Sequence, residues 1–443
     1  MAGEPEEFAL PLSRAANERL HAMVPGGAHT YAKGDDQYPE GLAPVISHGR
    51  GAHVWDVDGN RYVEYGSGLR SVSLGHAHPR VTEAVRRELD RGGNFVRPSV
   101  VEIEAAERFL ATVPTAEMVK FAKNGSDATT AAVRLARAAT GRARVAICAD
   151  HPFFSTDDWF IGTTPMADGI PPATAALTVR FPYGDLPATE ELLSRYEGEI
   201  ACLILEPATQ TEPPPGYLTG LRALADRHGC LLVLDEMITG FRWSEAGAQS
   251  LYGVVPDLST FGKALGNGFA VAALAGRREL MERGGLRYSG DRVFLLSTTH
   301  GAETHALAAA TAVQTTYTEE GVTARLHALG ERLAAGVREA AASMDVAEHV
   351  LVRGRASNLV FATLDEHGRP SQEYRTLFLR RLLAGGVLAP SFVVSAALDE
   401  ADIDHTVEVV AQACAVYRKA LDAGDPTPWM GGRAVRPVFR RRV

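Results

Sequence analysis

Two ionisable residues in the middle of the chain stand where their types could do chemistry together. Lys263 lies in the small, apolar stretch LSTFGKALGNGFAVAALAG (258–276), although lysine is normally a surface residue. An amine in partly apolar surroundings has a lowered pKa and becomes a nucleophile toward aldehydes. Asp235 ends the apolar run LLVLDE (231–236), and a carboxylate at the end of a buried strand needs a partner. That partner is either a side chain in an ordinary salt bridge or the ring nitrogen of a cationic cofactor.

The turn NGSDAT (124–129) adds a third feature, because it begins an Ala-rich helix. The free N–H groups and the positive dipole end of such a helix suit a phosphate, and a well-capped structural helix is the alternative. A phosphate cradle, a buried carboxylate and a lone lysine together describe a pyridoxal phosphate site. In such a site the carboxylate keeps the ring nitrogen protonated and the lysine bonds the aldehyde.

The elements that must position these residues alternate between short apolar strands and helices over residues 75–320. This alternation predicts βαβ units and a mainly parallel sheet with helices on both faces. Sites in open parallel sheets form at the carboxyl ends of the strands, where all three features fall. We expect residues 75–320 to form a large domain. Residues 321–443 and an N-terminal segment, residues 1–74, are expected to form a smaller α+β domain.

Composition and charge narrow the function classes. Apolar residues make up 46% and charged residues 22% of the 443 positions, which is typical of a globular enzyme. A net charge of −9 argues against a nucleic-acid binder. We find no secretory signal, no membrane-spanning run and no histidine spacing typical of a zinc site. The cysteines are far apart and are expected to be reduced thiols of a cytoplasmic protein: Cys148, Cys202, Cys230 and Cys414.

The chain resembles the class III, fold-type I pyridoxal-phosphate aminotransferases, and within them the glutamate-1-semialdehyde aminomutase-like branch. The resemblance implies an α/β fold whose large domain has a mainly parallel seven-stranded sheet, with pyridoxal 5'-phosphate as cofactor. The motifs that carry it follow one another in order: PGGAHTYAKG (25–34), WDVDGNRYVEY (55–65), LGHAHPRV (74–81), NGSDATTAAVRLARAATGR (124–142), LILEP (203–207), LDEMITGFR (234–242), FGKALGNG (261–268) and VSAALDEADID (394–404).

The resemblance assigns roles around the cofactor ring. Lys263 matches the Schiff-base lysine, which also moves protons, and Asp235 matches the partner of the pyridine nitrogen. Met237 is expected to pack on a ring face, where the family commonly has valine. Glu206 matches the family's glutamate near the cofactor.

The resemblance also assigns the phosphate site. Gly125, Ser126 and Asp127 are expected to hold the phosphate through the start of their helix. Thr299 matches the family threonine that reaches the phosphate from the neighbouring subunit. A homodimer with shared active sites is therefore expected.

The stacking aromatic is the main departure from the family pattern. The family follows the 143–148 strand with YHG, whereas this chain has Asp150 at the nominal aromatic position. Phe153 or Phe154 could supply a flat apolar face instead. We expect His151 to be a packed loop histidine.

Three cations are candidates for binding substrate, and each could equally form a surface ion pair. Lys33 stands where the aminomutases carry an arginine, and a lysine lacks the bidentate fork of a guanidinium. Arg70 lies in GSGLR (66–70), where they carry GSWG, and Arg97 lies in NFVRPS. These changes argue against the aminomutase of the tetrapyrrole pathway and favour a relative in sugar, cyclitol or other specialised metabolism.

The favoured hypothesis is therefore an aminotransferase. It would move an amino group from L-glutamate to the carbonyl of a small anionic or sugar- or cyclitol-like substrate. The alternative is an intramolecular aminomutase, which uses the same residues without a separate donor. A binding protein without turnover is disfavoured, because Lys263 and Asp235 are both present.

Overall fold

The apolar runs of the sequence form a seven-stranded sheet in a computed structural model that describes residues 8–150, 153–301 and 303–441. The strands are β1 (Ile46–Arg50), β2 (His53–Asp56), β3 (Arg61–Glu64), β4 (Met118–Ala122), β5 (Arg144–Cys148), β6 (Thr178–Phe181), β7 (Ile200–Leu205), β8 (Leu231–Asp235), β9 (Leu258–Phe261), β10 (Ala272–Gly276), β11 (Val350–Arg353), β12 (Val360–Thr363) and β13 (Val387–Leu388).

The helices are α1 (Pro11–Met23), α2 (Ser67–Arg70), α3 (Pro79–Leu89), α4 (Val100–Thr112), α5 (Gly125–Thr140), α6 (Asp158–Ile161), α7 (Pro172–Ala175), α8 (Leu186–Arg195), α9 (Tyr217–His228), α10 (Ala248–Leu251), α11 (Arg278–Met281), α12 (Thr304–Glu320), α13 (Val322–Ser343), α14 (Gln372–Ala384), α15 (Glu400–Ala423) and α16 (Thr427–Met430). Short 3₁₀ turns occupy Pro25–Gly27, Tyr31–Lys33, Asp35–Gln37, Lys263–Gly266, Glu282–Gly284 and Ala356–Asn358.

The large sheet has the strand order β4-β10-β9-β8-β7-β5-β6. Strands β6, β5, β7, β8 and β9 run parallel, whereas β10 is antiparallel to both β4 and β9. All six residues of β7 and all four of β9 are buried, as expected for parallel strands covered on both faces. The predicted α/β fold with a mainly parallel seven-stranded sheet is confirmed.

Helix α5 shows why the Ala-rich segment folds where it does. The side chain of Asn124 accepts a hydrogen bond from the backbone N–H of Asp127, and Gly141 ends the helix in the left-handed conformation. The small side chains of its inner face are buried, which allows the helix to pack closely on the sheet. The start of α5 is thereby fixed beside the carboxyl end of the sheet.

The chain divides into two compact units. One consists of residues 68–72 and 78–323 and contains the seven-stranded sheet. The other consists of residues 1–67, 73–77 and 324–443 and contains a four-stranded sheet of order β1-β2-β3-β13 and the β11–β12 pair. In the latter unit the buried hydroxyl groups of Tyr65 and Thr406 share a hydrogen bond of 2.8 Å.

Two further sequence expectations can be compared with the structure. All four cysteines are free and buried, as expected. Within the described ranges, no helix is both long and apolar enough to cross a membrane.

Asp257 ties together the amino ends of β8 and β9. Its Oδ2 accepts hydrogen bonds from the backbone N–H of Leu232, at 2.7 Å, and from Arg222, at 2.6 Å. Its Oδ1 accepts a hydrogen bond of 2.7 Å from Arg277. The carboxylate is almost fully buried. This one side chain thus links two strands and two guanidinium groups.

Replacing this carboxylate should destabilise the fold. We expect Asp257→Ala to lower the free energy of unfolding by about 2–3 kcal/mol, because the Leu232 N–H would lose its acceptor inside the protein. Urea denaturation measures the change. Asp226→Ala is the matched control, since Asp226 pairs with the same Arg222 but is exposed, and its loss should cost less than about 0.5 kcal/mol. Equal losses in the two variants would contradict this account.

Candidate active site

Three neighbouring parallel strands end in ionisable residues at one edge of the large sheet. Strand β7 is followed by Glu206, β8 ends at Asp235, and β9 is followed by Gly262 and Lys263. Parallel neighbours end at the same edge, and Asp235 pairs with Thr260 in the register between β8 and β9. The predicted meeting of Lys263 and Asp235 therefore follows from the sheet itself.

Asp235 is held rigidly and is only 2% exposed. Its Oδ1 accepts hydrogen bonds from the backbone N–H of Met237 and from the hydroxyl of Thr260, both at 3.0 Å. Burial raises the pKa of Asp235, and the nearby Lys263 and these two hydrogen bonds lower it. Both hydrogen bonds end on Oδ1, which leaves Oδ2 able to accept from the N–H of a ligand ring.

Lys263 occupies a strained position at the start of a 3₁₀ turn. Its φ is +46°, a left-handed value that non-glycine residues seldom adopt outside sites where the surroundings impose it. The side chain is half-buried. Burial lowers the pKa of Lys263, and Arg70 and Arg242 lower it further, whereas Asp235 and Glu206 raise it. The net shift is downward, so the neutral, nucleophilic form of this amine is more accessible than that of an ordinary lysine.

Glu206 completes the cluster of charges. It is almost fully buried, and burial together with the neighbouring Asp235 raises its pKa to about 8, while Lys263 and Arg70 act in the opposite direction. At neutral pH this carboxyl group therefore holds a proton.

The start of α5 meets the lysine turn through the side chain of Met237. A Cβ placed on Gly125 would lie 3.1 Å from the Met237 sulfur, and one placed on Gly262 would lie 2.6 Å from it. A side chain at either position would therefore require the Met237 side chain to move. The contacts bring the first turn of α5 and the segment leading to Lys263 to the same side chain.

The first turn of α5 is suited to an anion. The side chain of Asn124 accepts a hydrogen bond from the N–H of Asp127. The N–H groups of Gly125 and Ser126 lie at the positive end of the helix dipole. The hydroxyl oxygen of Ser126 accepts a hydrogen bond of 3.1 Å from the backbone N–H of Thr156. The loop after β5 is thereby fastened to the helix start.

The two candidate aromatic residues lie in different surroundings. Phe153 is 41% exposed, whereas Phe154 is 2% exposed and belongs to the hydrophobic core, and both rings meet Phe160 edge-on. Asp150, at the family's aromatic position, accepts a hydrogen bond from the backbone N–H of Tyr183. His151 lies outside the described residues. Phe153 keeps the more accessible ring face.

The remaining predicted residues are less closely tied to the cluster. Arg70 is half-buried and acts electrostatically on Lys263 and Glu206. Thr299 and Arg97 are exposed in loops. Lys33 is exposed and belongs to the other compact unit.

Sequence reasoning missed Arg242 and Thr260. The side chain of Arg242 is fully buried, and it lies near enough to Lys263 to lower the pKa of that amine. Its position in the family motif LDEMITGFR was a signal that could have found it. Thr260 stands opposite Asp235 in the sheet register, a relation that needs the pairing of β8 and β9 to be known.

The described residues include no cluster of three or more His, Cys, Asp or Glu side chains that could hold a metal ion.

Comparison with known proteins identifies the family to which the chain belongs. A profile of the family described as Aminotransferase class-III matches residues 37–393. Over 432 residues the chain is 34% identical to glutamate-1-semialdehyde 2,1-aminomutase from Chloroflexus aggregans, covering 91% of this chain and 97% of that protein.

Two solved structures extend the likeness to the whole fold. An omega-transaminase from Sphaerobacter thermophilus superposes with a TM-score of 0.82 at 26% identity, covering 92% of this chain and 98% of that chain. A transaminase with PLP bound superposes with a TM-score of 0.85 at 25% identity, covering 94% and 99%.

Pyridoxal 5'-phosphate is the cofactor of this family, and the residues of the site fit it. Oδ2 of Asp235 can accept from a ring N–H, the Lys263 amine can bond an aldehyde, and the first turn of α5 can bind a phosphate. Met237 offers an apolar surface between the last two.

Removing the amine should abolish activity and leave the fold intact. We expect Lys263→Ala to lower the transamination rate by at least about 10²–10⁴-fold, because a positioned proton carrier is lost. Enzyme assays and circular dichroism measure the two properties. Lys120→Ala is the control, since Lys120 is another half-buried lysine, on β4 of the same sheet, and burial also lowers its pKa. Full activity of Lys263→Ala would refute the role of this amine.

Proposed function

This chain belongs to the class III aminotransferase family and is a pyridoxal-phosphate-dependent enzyme, and from that premise we propose the reaction that it catalyses. It takes the amino group of L-glutamate and delivers it to the carbonyl of a small anionic or sugar- or cyclitol-like acceptor. The observation that carries this proposal is that the buried carboxyl group of Asp235 and the amine of Lys263, whose pKa burial lowers, lie at the carboxyl ends of the neighbouring strands β8 and β9.

The proposed roles follow from the local contacts. When bound, pyridoxal phosphate supplies an aldehyde that takes up nitrogen and a ring that withdraws electrons from the reacting carbon. Asp235 keeps the ring nitrogen protonated through Oδ2, while Thr260 and the Met237 N–H fix its Oδ1. Lys263 removes a proton from one carbon and returns it to another, and its lowered pKa suits this exchange near neutral pH.

The phosphate is proposed to bind at the start of α5, to the N–H groups of Gly125 and Ser126, with Asp127 in the same turn. Met237 would pack on one face of the ring and Phe153 on the other. Glu206 is proposed to hold its proton beside the cofactor at neutral pH. The proposed compartment is the cytoplasm, since the four cysteines are free thiols.

The second candidate is an intramolecular aminomutase. Its support is the 34% identity to a glutamate-1-semialdehyde 2,1-aminomutase across most of both chains. The two functions use the same lysine and aspartate, and they differ in whether a separate amino donor is consumed. Arg70 and Lys33, which stand where the aminomutases carry other residues, favour the aminotransferase.

A half-reaction distinguishes the two candidates. The purified holoenzyme mixed with L-glutamate alone should release about one equivalent of 2-oxoglutarate per site, because an aminotransferase completes its donor step without an acceptor. Liquid chromatography quantifies the product, and Lys263→Ala is the blank. Isomerisation of glutamate 1-semialdehyde without any release of 2-oxoglutarate would instead establish the aminomutase.

We propose further that two copies of the chain share their active sites. Thr299 lies exposed in a loop before α12, and it is proposed to bind the cofactor phosphate of a neighbouring subunit, as the matching family threonine does. In a symmetric dimer each site would then combine Lys263 of one chain with Thr299 of the other.

Mixing two inactive variants tests this arrangement. Thr299→Glu places a negative charge against the phosphate and should inactivate its partner's site. A dimer of Lys263→Ala with Thr299→Glu contains one intact site, so random exchange of subunits should restore about a quarter of the wild-type activity. Activity is assayed after refolding the variants together, with each variant refolded alone as the control. Mixtures that stay inactive although dimers exchange would refute the shared site.

A further inference from the structure

Helix α2 is a left-handed turn beside the site. Ser67, Gly68, Leu69 and Arg70 have φ values of 46°, 56°, 60° and 73°. Only glycine adopts this conformation without a steric penalty, and three of these four residues are not glycine. Strained backbone of this kind persists only where the surrounding structure imposes it, and it is concentrated at functional sites.

Two hydrogen bonds hold the turn, and the residue Val72 that follows it lies close to Gly268. The guanidinium of Arg242 donates a hydrogen bond of 3.1 Å to the carbonyl oxygen of Arg70. The hydroxyl of Ser71 donates one of 2.7 Å to the carbonyl oxygen of Gly68. A Cβ placed on Gly268, in the loop after Lys263, would lie 3.5 Å from a methyl group of Val72. The turn is thus fixed against the loop that carries the reactive amine.

Arg242 itself is unusual, because its side chain is 0% exposed. A buried guanidinium is costly unless it makes charge-assisted hydrogen bonds, and here one of them goes to the strained turn. This free-energy cost of burying Arg242 is explained if the left-handed turn has a functional role that a relaxed backbone could not fulfil.

That task is the placement of the Arg70 side chain. Arg70 is half-buried and acts electrostatically on the reacting amine of Lys263 and on the neighbouring Glu206. By contrast, Arg97 is exposed in the loop before α4. A guanidinium beside the reacting amine presents paired N–H groups that match a carboxylate.

We propose that Arg70 is the specificity-determining residue that binds the carboxylate of the substrate, and that Arg242 is a positioning residue that presents Arg70 by holding the left-handed turn. This inference rests on the proposed aminotransferase function and narrows its substrates to amines and carbonyl compounds that carry a carboxylate.

The test uses the holoenzyme and compares a carboxylate substrate with an amine that lacks one. The specificity ratio is kcat/KM for L-glutamate divided by kcat/KM for propylamine. In Arg70→Ala this ratio should fall about 10- to 100-fold, as expected for the loss of hydrogen bonds between charged groups. Arg70→Lys should keep part of it, since a lysine retains the charge without the fork. An unchanged ratio in Arg70→Ala would overturn the proposal.

Arg242→Lys should lower the same specificity ratio although Arg70 is still present. Replacing a buried arginine can also destabilise the fold, so a second variant disturbs the turn in another way. In Gly68→Ala the new Cβ would lie 2.9 Å from Ser71 Oγ and from Val72 Cγ2. Arg195→Ala, which removes an exposed arginine of α8, is the control and should leave the ratio unchanged. Normal ratios in both turn variants would refute the positioning role of Arg242.

Two readouts do not depend on turnover. Calorimetry with glutarate, an unreactive dicarboxylate, should show about 10- to 100-fold weaker binding to Arg70→Ala than to the wild type.

Arg70 lowers the pKa of Lys263, so in Arg70→Ala the pH midpoint for capture of pyridoxal phosphate by the cofactor-free protein should rise. If the wild type binds glutarate through Arg70 but releases no 2-oxoglutarate from glutamate, the proposed function fails and the binding role of Arg70 stands.

Discussion

The site depends on placing one amine among several ionisable groups at the end of a buried sheet. Burial and two guanidinium groups favour the neutral form of Lys263, whereas Asp235 and Glu206 favour its ammonium form. These opposing groups come together because β7, β8 and β9 run parallel and end at the same edge. The other features of the site, from the anion-binding start of α5 to the buried Arg242, surround this balance.

The parts of this arrangement that were predictable depend on local patterns. Continuous apolar runs indicated strands buried on both faces, and their alternation with helices indicated a parallel sheet. Once the sheet is parallel, Asp235 and Lys263 lie at the same edge, and the adjacency of β8 and β9 brings them close together. Their meeting therefore needed no knowledge of side-chain packing, and neither did the helix cap at Asn124, which acts within one turn.

The parts that were not predictable depend on contacts between distant segments. Leucine and arginine both favour right-handed helix, so nothing in GSGLR itself indicates a left-handed turn at Leu69 and Arg70. Arg242 imposes it from more than 170 positions along the chain. Likewise, the pattern offered two adjacent phenylalanines for one task, and only packing separates the exposed Phe153 from the buried Phe154.

The close approach at Met237 has a consequence for how the sequence can vary. Its sulfur fills space that a methyl group on either Gly125 or Gly262 would need, so these three positions share one small volume. A larger residue at one glycine would have to displace the side chain at 237, and a smaller residue at 237 would relieve that contact. The effects of substitutions at these three positions should therefore depend on one another, so that the same change costs more in one background than in another.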